Sequence, residues 1–189
     1  IKEEVVNLTT SPLYAERIKN KVFPVIGEGS HNADIMLIGE APGKNEAETG
    51  KPFCGASGRV LTELIESVNL KREDVYITKI VKDRPPNNRD PLPEEIALYS
   101  PFLIRQIEVI QPKIIATLGR YSMAFIMQQF KLHDELKTIS QIHGKAFNAK
   151  TFYGNIKIIP LYHPAVALYQ NSLKGQMLED FKQIKHLIS

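Results

Sequence analysis

The sequence contains a single cysteine, Cys54, among its 189 residues. One cysteine excludes an internal disulfide, and it excludes an iron–sulfur or zinc site that one chain would ligate through several cysteines. No run of about 18 apolar residues is present, so we expect no segment to span a membrane. The first residues lack the basic-then-apolar arrangement of a secretory signal. These absences predict an intracellular, soluble protein without a cysteine-ligated metal site.

The overall composition excludes few functions. A formal net charge of +3 is mildly basic, which permits a polyanionic partner without requiring one. Hydrophobic residues make up 43% and charged residues 24%, as in ordinary globular proteins. The length suits one domain with a sizeable core, and no internal repeat, low-complexity tract or linker divides it. We therefore expect residues 1–189 to form a single domain.

Four short apolar runs, each bounded by polar residues, glycine or proline, predict buried strands. These runs are Ala33–Gly39, Val75–Val81, Lys113–Gly119 and Ile156–Tyr162. Amphipathic patterns between and after them predict helices over residues 57–70, 93–110, 120–130 and 175–188. Alternating strands and helices indicate an α/β fold whose parallel sheet is covered on both faces.

Three short segments carry most of the chemistry. Gly39–Gly43 leads to Glu46, Gly50–Phe53 follows, and Tyr162–Pro164 contains His163. The first and third segments follow predicted strands, so they should meet at the rim where open α/β folds place their sites. A carboxylate, an aromatic ring and a histidine together suit an enzyme that grips a planar ring and cleaves a bond beside it.

Each of these residues also has a structural interpretation. Glu40 and Glu46 can be solvated acids of a loop between strand and helix. Phe53 can be an anchor packed into the core, or it can stack on a base, since every base presents a π-face. His163 can be a hydrogen-bonded core residue, or a donor to an oxygen that becomes negative as a bond breaks.

Basic residues near the same rim have two interpretations as well. They can form an ordinary solvated face, or they can contact the phosphates of a nucleic acid. The residues concerned are Lys44, Lys82, Arg84, Arg89 and Lys145. Their expected position beside Glu46, Phe53 and His163 favours phosphate contact.

Several of these stretches resemble the family 4 uracil-DNA glycosylases. The resemblance rests on GEAPGKNEAETGKPFCGASGRVL from Gly39, VYITKIVKDRPPNNRDPLPEE from Val75, PKIIATLG from Pro112 and LYHPAVAL from Leu161. These motifs occur in the family's order and spacing over nearly the whole chain. The resemblance implies a three-layer α/β/α sandwich with a four-stranded parallel sheet. It also implies hydrolysis of the bond between uracil and deoxyribose in DNA.

The resemblance further implies roles for individual residues. Glu46 would position or activate the attacking water, Phe53 would stack on the flipped base, and His163 would stabilise the departing uracil anion. The uracil pocket would include Gly39, Glu40 and Ala41.

Base flipping adds a requirement for a group that fills the vacated stack. Proteins that unstack DNA insert apolar side chains between base steps. The segment 164–172 offers Leu168 and Tyr169 as candidate wedge residues.

The chain departs from the family at the iron–sulfur cluster. Family members usually hold the cluster with four cysteines, and the corresponding positions here are Leu8, Ser11, Asp83 and Tyr99. None of these side chains supplies a thiolate, so we expect no cluster. We expect packing and hydrogen bonds to replace it, with Tyr99 filling part of the volume and Asp83 pairing with Lys82 or Arg84.

A second departure is Lys79, which stands where the family has an asparagine that reads the edge of uracil. An amide both donates and accepts hydrogen bonds, whereas an ammonium only donates. Three interpretations stay open: Lys79 points away from the site, it alters or weakens uracil recognition, or it attacks the abasic sugar as a Schiff-base lyase. Altered or weakened recognition is the favoured one.

The sequence and the resemblance thus predict a monomeric, monofunctional DNA-repair glycosylase that acts on uracil or a related deaminated base in DNA and needs no metal and no cofactor. Two alternatives remain. One is a DNA-binding member of the superfamily with weak or no catalysis, which Lys79 favours. The other is an enzyme for a free nucleoside or small nucleotide, which the basic rim and the candidate wedge disfavour.

Overall fold

Six strands form one mixed sheet in the computed structural model, which describes residues 1–189. The strands are β1 (Glu28–Gly29), β2 (Ile35–Gly39), β3 (Tyr76–Lys79), β4 (Ile114–Leu118), β5 (Phe147–Thr151) and β6 (Gly154–Leu161). Their order across the sheet is β1-β3-β2-β4-β6-β5. The central four strands, β3, β2, β4 and β6, are parallel, and β1 and β5 pair antiparallel at the edges.

The predicted α/β fold is confirmed, with a sheet of six strands instead of four. The four predicted strands are the four parallel ones, each buried along its centre. The edge strands escaped prediction because β1 has two residues and β5, with the sequence FNAKT, is polar and only partly buried.

Nine helices surround the sheet. They are α1 (Lys2–Val6), α2 (Pro12–Asn20), α3 (Lys44–Thr49), α4 (Ala56–Glu66), α5 (Pro93–Ile110), α6 (Arg120–Gln129), α7 (Ile139–Ile142), α8 (Val166–Tyr169) and α9 (Lys174–Ile188). The predicted helices correspond to α4, α5, α6 and α9. No helix combines the length and the apolar character that crossing a membrane requires.

Two apolar cores lie on opposite faces of the sheet, as the alternation of side chains along a strand requires. On β2, Met36 and Ile38 belong to one core, and Ile35 and Leu37 belong to the other. Helices α5 and α6 cover the first core, and α4 and α9 cover the second. The three-layer α/β/α arrangement is therefore present.

A buried polar network joins Ser11, Asp83 and Tyr99, three of the four positions at which the resemblance implies cluster cysteines. The Tyr99 hydroxyl donates to Asp83 Oδ2 at 2.6 Å and contacts Ser11 Oγ at 3.0 Å. Arg17 Nη1 donates to both Asp83 oxygens, at 3.0 and 3.2 Å. Asp83 and Tyr99 are fully buried. The predicted filling role of Tyr99 agrees with this burial, whereas the predicted partner of Asp83 is wrong, because Arg17 reaches it from α2.

Candidate active site

The candidate residues lie where the central strands end. Gly39 is the last residue of β2, Lys79 is the last residue of β3, and His163 follows β6. Because these strands are parallel, their carboxyl ends share one rim of the sheet. The structure therefore brings together the segments that the sequence predicted to meet.

Glu46 is fixed at the start of the short helix α3. Gly43 is the residue before that helix, and its backbone N–H donates to Glu46 Oε2 at 2.6 Å. The N–H of Phe53 donates to the other oxygen, Oε1, at 2.6 Å. Glu46 thus ties the loop after β2 to the loop that carries Phe53, and its carboxylate has one orientation.

Glu46 is held as an anion. Burial alone would raise the pKa of its carboxyl group, but the ammonium of Lys79 and the two backbone N–H donors more than offset burial. The pKa of Glu46 therefore lies below its usual range. A carboxylate of this kind is a weak base that carries a full negative charge at neutral pH.

Phe53 adopts an unusual backbone conformation with φ of 48°. Such angles are strained for a bulky residue and occur mostly where the surroundings impose them. This Phe53 conformation requires glycine at position 58, because a Cβ there would lie 1.8 Å from the carbonyl oxygen of Phe53 and clash with it. The Phe53 side chain is 2% exposed, and a Cβ at Gly39 would contact its ring at 3.0 Å.

Two residues that sequence reasoning missed hold the Phe53 loop. Arg72 donates to the carbonyl oxygens of Pro52 and Phe53, at 2.8 and 3.2 Å. Glu28 holds the Arg72 guanidinium through a 2.6 Å ion pair. Arg72 occurs in an ordinary polar turn before β3, and no signal in the sequence distinguishes it.

Lys79 points into the site. Its Nζ lies 3.2 Å from Glu46 Oε1 and 3.7 Å from the centroid of the Phe53 ring, and its side chain is 4% exposed. Burial lowers the pKa of Lys79, and the carboxylate of Glu46 opposes that effect. The interpretation in which Lys79 points away from the site is therefore wrong.

His163 faces Phe53 as a neutral imidazole. The two ring centroids are 5.6 Å apart. Burial and the charge of Lys79 lower the pKa of His163 to about 4. Its Nδ1 accepts a hydrogen bond from the Ala165 N–H at 3.1 Å, so the proton of the neutral ring resides on Nε2. His163 is thus a neutral hydrogen-bond donor at neutral pH.

Two cavities of about 330 Å³ each open at this rim. One is lined by Glu46, Phe53, Asn88 and the α8 residues Leu168 and Tyr169, among others. The other is lined by His163, which does not line the first, and it is mostly apolar; its other polar lining residues include Glu40, Arg120 and Tyr121. Their volumes fall at the lower end of the range for small-molecule sites.

Glu40 is a titrating group in the second cavity. Burial and the nearby charge of Asp90 raise the pKa of Glu40 to about 7, against the opposing effects of Lys79 and Arg120. Its charge therefore changes near neutral pH. Ala41, next to it, packs against the core below the rim.

Comparison with known proteins gives the family. The family described as the Uracil DNA glycosylase superfamily matches residues 26–184. The chain belongs to the uracil-DNA glycosylase superfamily. It is 46% identical to the Type-4 uracil-DNA glycosylase of Archaeoglobus fulgidus over 169 residues, which are 89% of this chain and 84% of that protein. It is 45% identical over 188 residues to the Sulfurisphaera tokodaii protein of the same name, covering 99% and 83% of the two chains.

Within this superfamily the chain lacks a donor set for an iron–sulfur cluster. Its one cysteine, Cys54, is exposed, and no group of three or more His, Cys, Asp or Glu side chains is arranged to hold a metal. The four family positions hold Leu8, Ser11, Asp83 and Tyr99, of which the last three are joined by hydrogen bonds through the Tyr99 hydroxyl. None of these four side chains supplies the thiolate that a cysteine ligand of an iron–sulfur cluster provides, so the residues do not fit that cluster.

The basic residues proposed as DNA contacts of this superfamily member differ in accessibility. Lys82 is fully buried, and its Nζ donates to Thr78 Oγ1, Lys79 O and Gln106 Oε1 at 2.6–2.7 Å. The prediction that Lys82 contacts DNA is therefore wrong. Ile80 and Val81, between the end of β3 and Lys82, are buried as well, so the chain is still in the interior at Lys82.

The other basic residues remain at the surface. The guanidinium of Arg89 is paired with both oxygens of Glu95, at 2.9 and 2.6 Å. Arg84 is partly exposed, and its Nε–H donates a hydrogen bond to Asn88 Oδ1 at 2.7 Å. Lys44 and Lys145 are exposed.

Leu168 and Tyr169 project from α8 beside the Glu46 cavity. They are 51% and 75% exposed. Both line the cavity that contains Glu46 and Phe53. The structure thus puts both candidate wedge residues at the mouth of the candidate site.

Proposed function

We propose that this protein is a uracil-DNA glycosylase, which hydrolyses the bond between deoxyribose and uracil, or a related deaminated base, and leaves an abasic site in DNA. The observation that carries the proposal is the convergence of Glu46, Phe53 and His163 on one rim. The Phe53 backbone N–H donates a hydrogen bond to the Glu46 carboxylate, and the centroids of the Phe53 and His163 rings are 5.6 Å apart. The names of the curated relatives support the same reaction.

The base would be held by stacking. A uracil inside a duplex is inaccessible, so it must be extruded at a cost of a few kcal/mol. Phe53 offers a rigidly held aromatic face for it, and Gly39 leaves the space that both Phe53 and a base need. The backbone of Glu40 and Ala41 would complete the wall of the pocket.

Glu46 would act on the sugar side of the bond. When the glycosidic bond breaks, positive charge develops on the sugar, and a fixed carboxylate stabilises that charge. Because its pKa is low, Glu46 would orient the attacking water as an anion and accept its proton only late, as the new C–O bond forms.

His163 would act on the base side. The departing uracil carries negative charge on its oxygens, and a neutral Nε2–H is a suitable donor to one of them. The low pKa of His163 excludes an imidazolium at neutral pH, so His163 would stabilise the anion by a hydrogen bond without first carrying an extra proton.

Lys79 would weaken uracil recognition. Its ammonium donates to a carbonyl oxygen but leaves the N3–H of uracil without an acceptor, and an unmet buried donor costs about 1–3 kcal/mol. In addition, Lys79 covers the face of Phe53 on which a base would stack, so it must move when a base enters.

This position yields a prediction for Lys79→Asn. The asparagine amide would donate to a uracil carbonyl oxygen and accept from the uracil N3–H, and the Phe53 face would be open. The single-turnover rate of uracil release should therefore rise by about 5–150-fold, the equivalent of 1–3 kcal/mol. The measurement is free uracil formed from a single-stranded oligonucleotide. An unchanged or lower rate would show that Lys79 does not hinder uracil binding.

DNA contacts would come from the exposed part of the rim. Arg84 and Lys44 are accessible for phosphates, whereas Arg89 would first have to leave Glu95. The apolar surface of Leu168 and Tyr169 would enter the vacated stack.

Replacing Leu168 by alanine tests the wedge. Unstacking a base step costs a few kcal/mol, and we expect loss of the wedge to slow uracil release from duplex DNA by about tenfold while single-stranded DNA is processed as before. The ratio of the two rates is the readout. Val109→Ala, at another exposed apolar position, serves as the control because it lies on α5 and lines neither cavity. Equal ratios for the parent and Leu168→Ala would remove the wedge role.

We also propose that the protein works as a monomer inside the cell, as one unit, without an iron–sulfur cluster. The Arg17–Asp83–Tyr99 network supports the last point, because Ser11, Asp83 and Tyr99, three of the four cluster positions, are joined by hydrogen bonds within it.

A panel of substrates tests the proposed function. Oligonucleotides carrying uracil, hypoxanthine, xanthine or hydroxymethyluracil are incubated with the protein, and the released base is identified by mass spectrometry. We expect release of uracil or of another deaminated base. The second candidate function, DNA binding without catalysis, is favoured by Lys79 lying on the Phe53 face. It predicts retention of the oligonucleotide with no base released.

A further inference from the structure

We propose that Lys79 gives this protein a second activity, cleavage of the DNA strand at the abasic site through a Schiff base with the sugar. The inference rests on the proposed function, because it assigns a step after loss of the base in the same site. It is carried by the position of the Lys79 amine between the Glu46 carboxylate and the Phe53 ring.

The amine occupies the place that the base would leave. Lys79 Nζ lies 3.7 Å from the centroid of the Phe53 ring, where a stacked base would lie. A base is bonded to C1′ of its sugar, so a group that takes the place of the departed base is adjacent to C1′. The four-carbon side chain of Lys79 can withdraw for the base and return after the base leaves.

Glu46 provides the proton transfer that the attack needs. Only a neutral amine is a nucleophile, and Glu46 Oε1 is 3.2 Å from Nζ, within reach of its proton. Burial also lowers the pKa of Lys79, which increases the fraction of free amine. Lys82, the other buried lysine, is excluded because all three of its N–H groups have acceptors and it is fully buried.

The steps balance without an oxidant or a reductant. The neutral amine of Lys79 adds to the C1′ aldehyde of the open-chain abasic sugar. The proton that Glu46 took from the ammonium then passes to the hydroxyl on C1′, which leaves as water and gives a protonated imine. The Glu46 carboxylate removes a proton from C2′, and the electron pair expels the 3′ phosphate oxygen, which breaks the C3′–O bond. Water then hydrolyses the imine, which frees Lys79 and leaves an unsaturated aldehyde on the upstream fragment.

The experiment uses an oligonucleotide in which the abasic site is already present, made by acid release of the only purine in an otherwise pyrimidine strand. Failure of the proposed activity is then distinguishable from failure of uracil release, which the substrate panel measures separately. Sodium borohydride reduces an imine to a stable amine, so a covalent protein–DNA adduct reports the intermediate. Strand cleavage without alkali or borohydride reports the complete reaction.

Two variants accompany the parent protein. Lys79→Arg keeps a positive charge but removes the primary amine, because arginine stays protonated. Lys71→Ala removes an exposed lysine before β3, at the opposite rim of the sheet, and controls for unspecific trapping by surface amines. Circular dichroism establishes that both variants are folded.

We expect the parent and Lys71→Ala to form the adduct and to cleave the strand, and Lys79→Arg to lose both. Peptide mapping of the parent adduct should give the modified residue as Lys79, and this decides the matter even if Lys79→Arg does not fold. The absence of an adduct with the parent, an adduct in folded Lys79→Arg, or modification of another residue would overturn the proposal.

Discussion

Replacing Glu46 by glutamine should lower the single-turnover rate of base release by about 10²–10⁴-fold, the range that a positioned acid–base group contributes. The amide of glutamine keeps the acceptor for the Phe53 N–H but loses the charge that stabilises the sugar cation. It also faces the Gly43 N–H with a donor where Glu46 has an acceptor. The loss should therefore be large and should appear in the chemical step.

The control for this experiment lies in the same helix. Glu48→Gln neutralises an exposed carboxylate two residues away, whose partner Lys44 lies 3.9 Å distant at the surface. We expect Glu48→Gln to release the base at the parent rate and both variants to melt as folded proteins. If Glu46→Gln releases the base as fast as Glu48→Gln does, Glu46 has no part in catalysis.

The second large effect concerns stability. Asp83→Ala should lower the free energy of unfolding by about 3–5 kcal/mol, because it leaves the buried guanidinium of Arg17 without its counterion. It also removes the acceptor of the Tyr99 hydroxyl. For a domain of this size each kcal/mol corresponds to about 2–4 °C, so the melting temperature should fall by roughly 6–20 °C.

An exposed ion pair provides the comparison. Glu179→Ala breaks the pair with Lys182 on the surface of α9, where solvent screens the charges, and the melting temperature should barely change. Thermal unfolding followed by circular dichroism measures both. Equal melting temperatures for Asp83→Ala and Glu179→Ala would show that the network does not stabilise the fold in place of a cluster.

The sequence predicted the part of the fold that depends on local pattern. Four apolar runs identified the parallel strands, and the rule that their ends share a rim brought Glu46 and His163 together. Strand β5 could not be found in this way, because an edge strand with one solvated face has little apolar character.

The parts of the site that the sequence did not predict depend on long-range packing. Arg17 and Asp83 are 66 residues apart, and nothing local to either indicates their ion pair. Arg72 and Glu28, which hold the Phe53 loop, are 44 residues apart. The sequence predicts an exposed Lys82, since lysines are normally exposed, whereas in the structure its ammonium donates to three buried acceptors.

The proposed function requires that an extruded base lies on the face of Phe53 between Glu46 and His163. The most direct test is a crystal structure of Glu46→Gln bound to a uracil-containing oligonucleotide. We expect the base stacked on Phe53 with Lys79 displaced, the sugar beside residue 46 and His163 Nε2 hydrogen-bonded to a uracil oxygen. A base that lies elsewhere, with Lys79 still on the Phe53 ring, would contradict the proposed function.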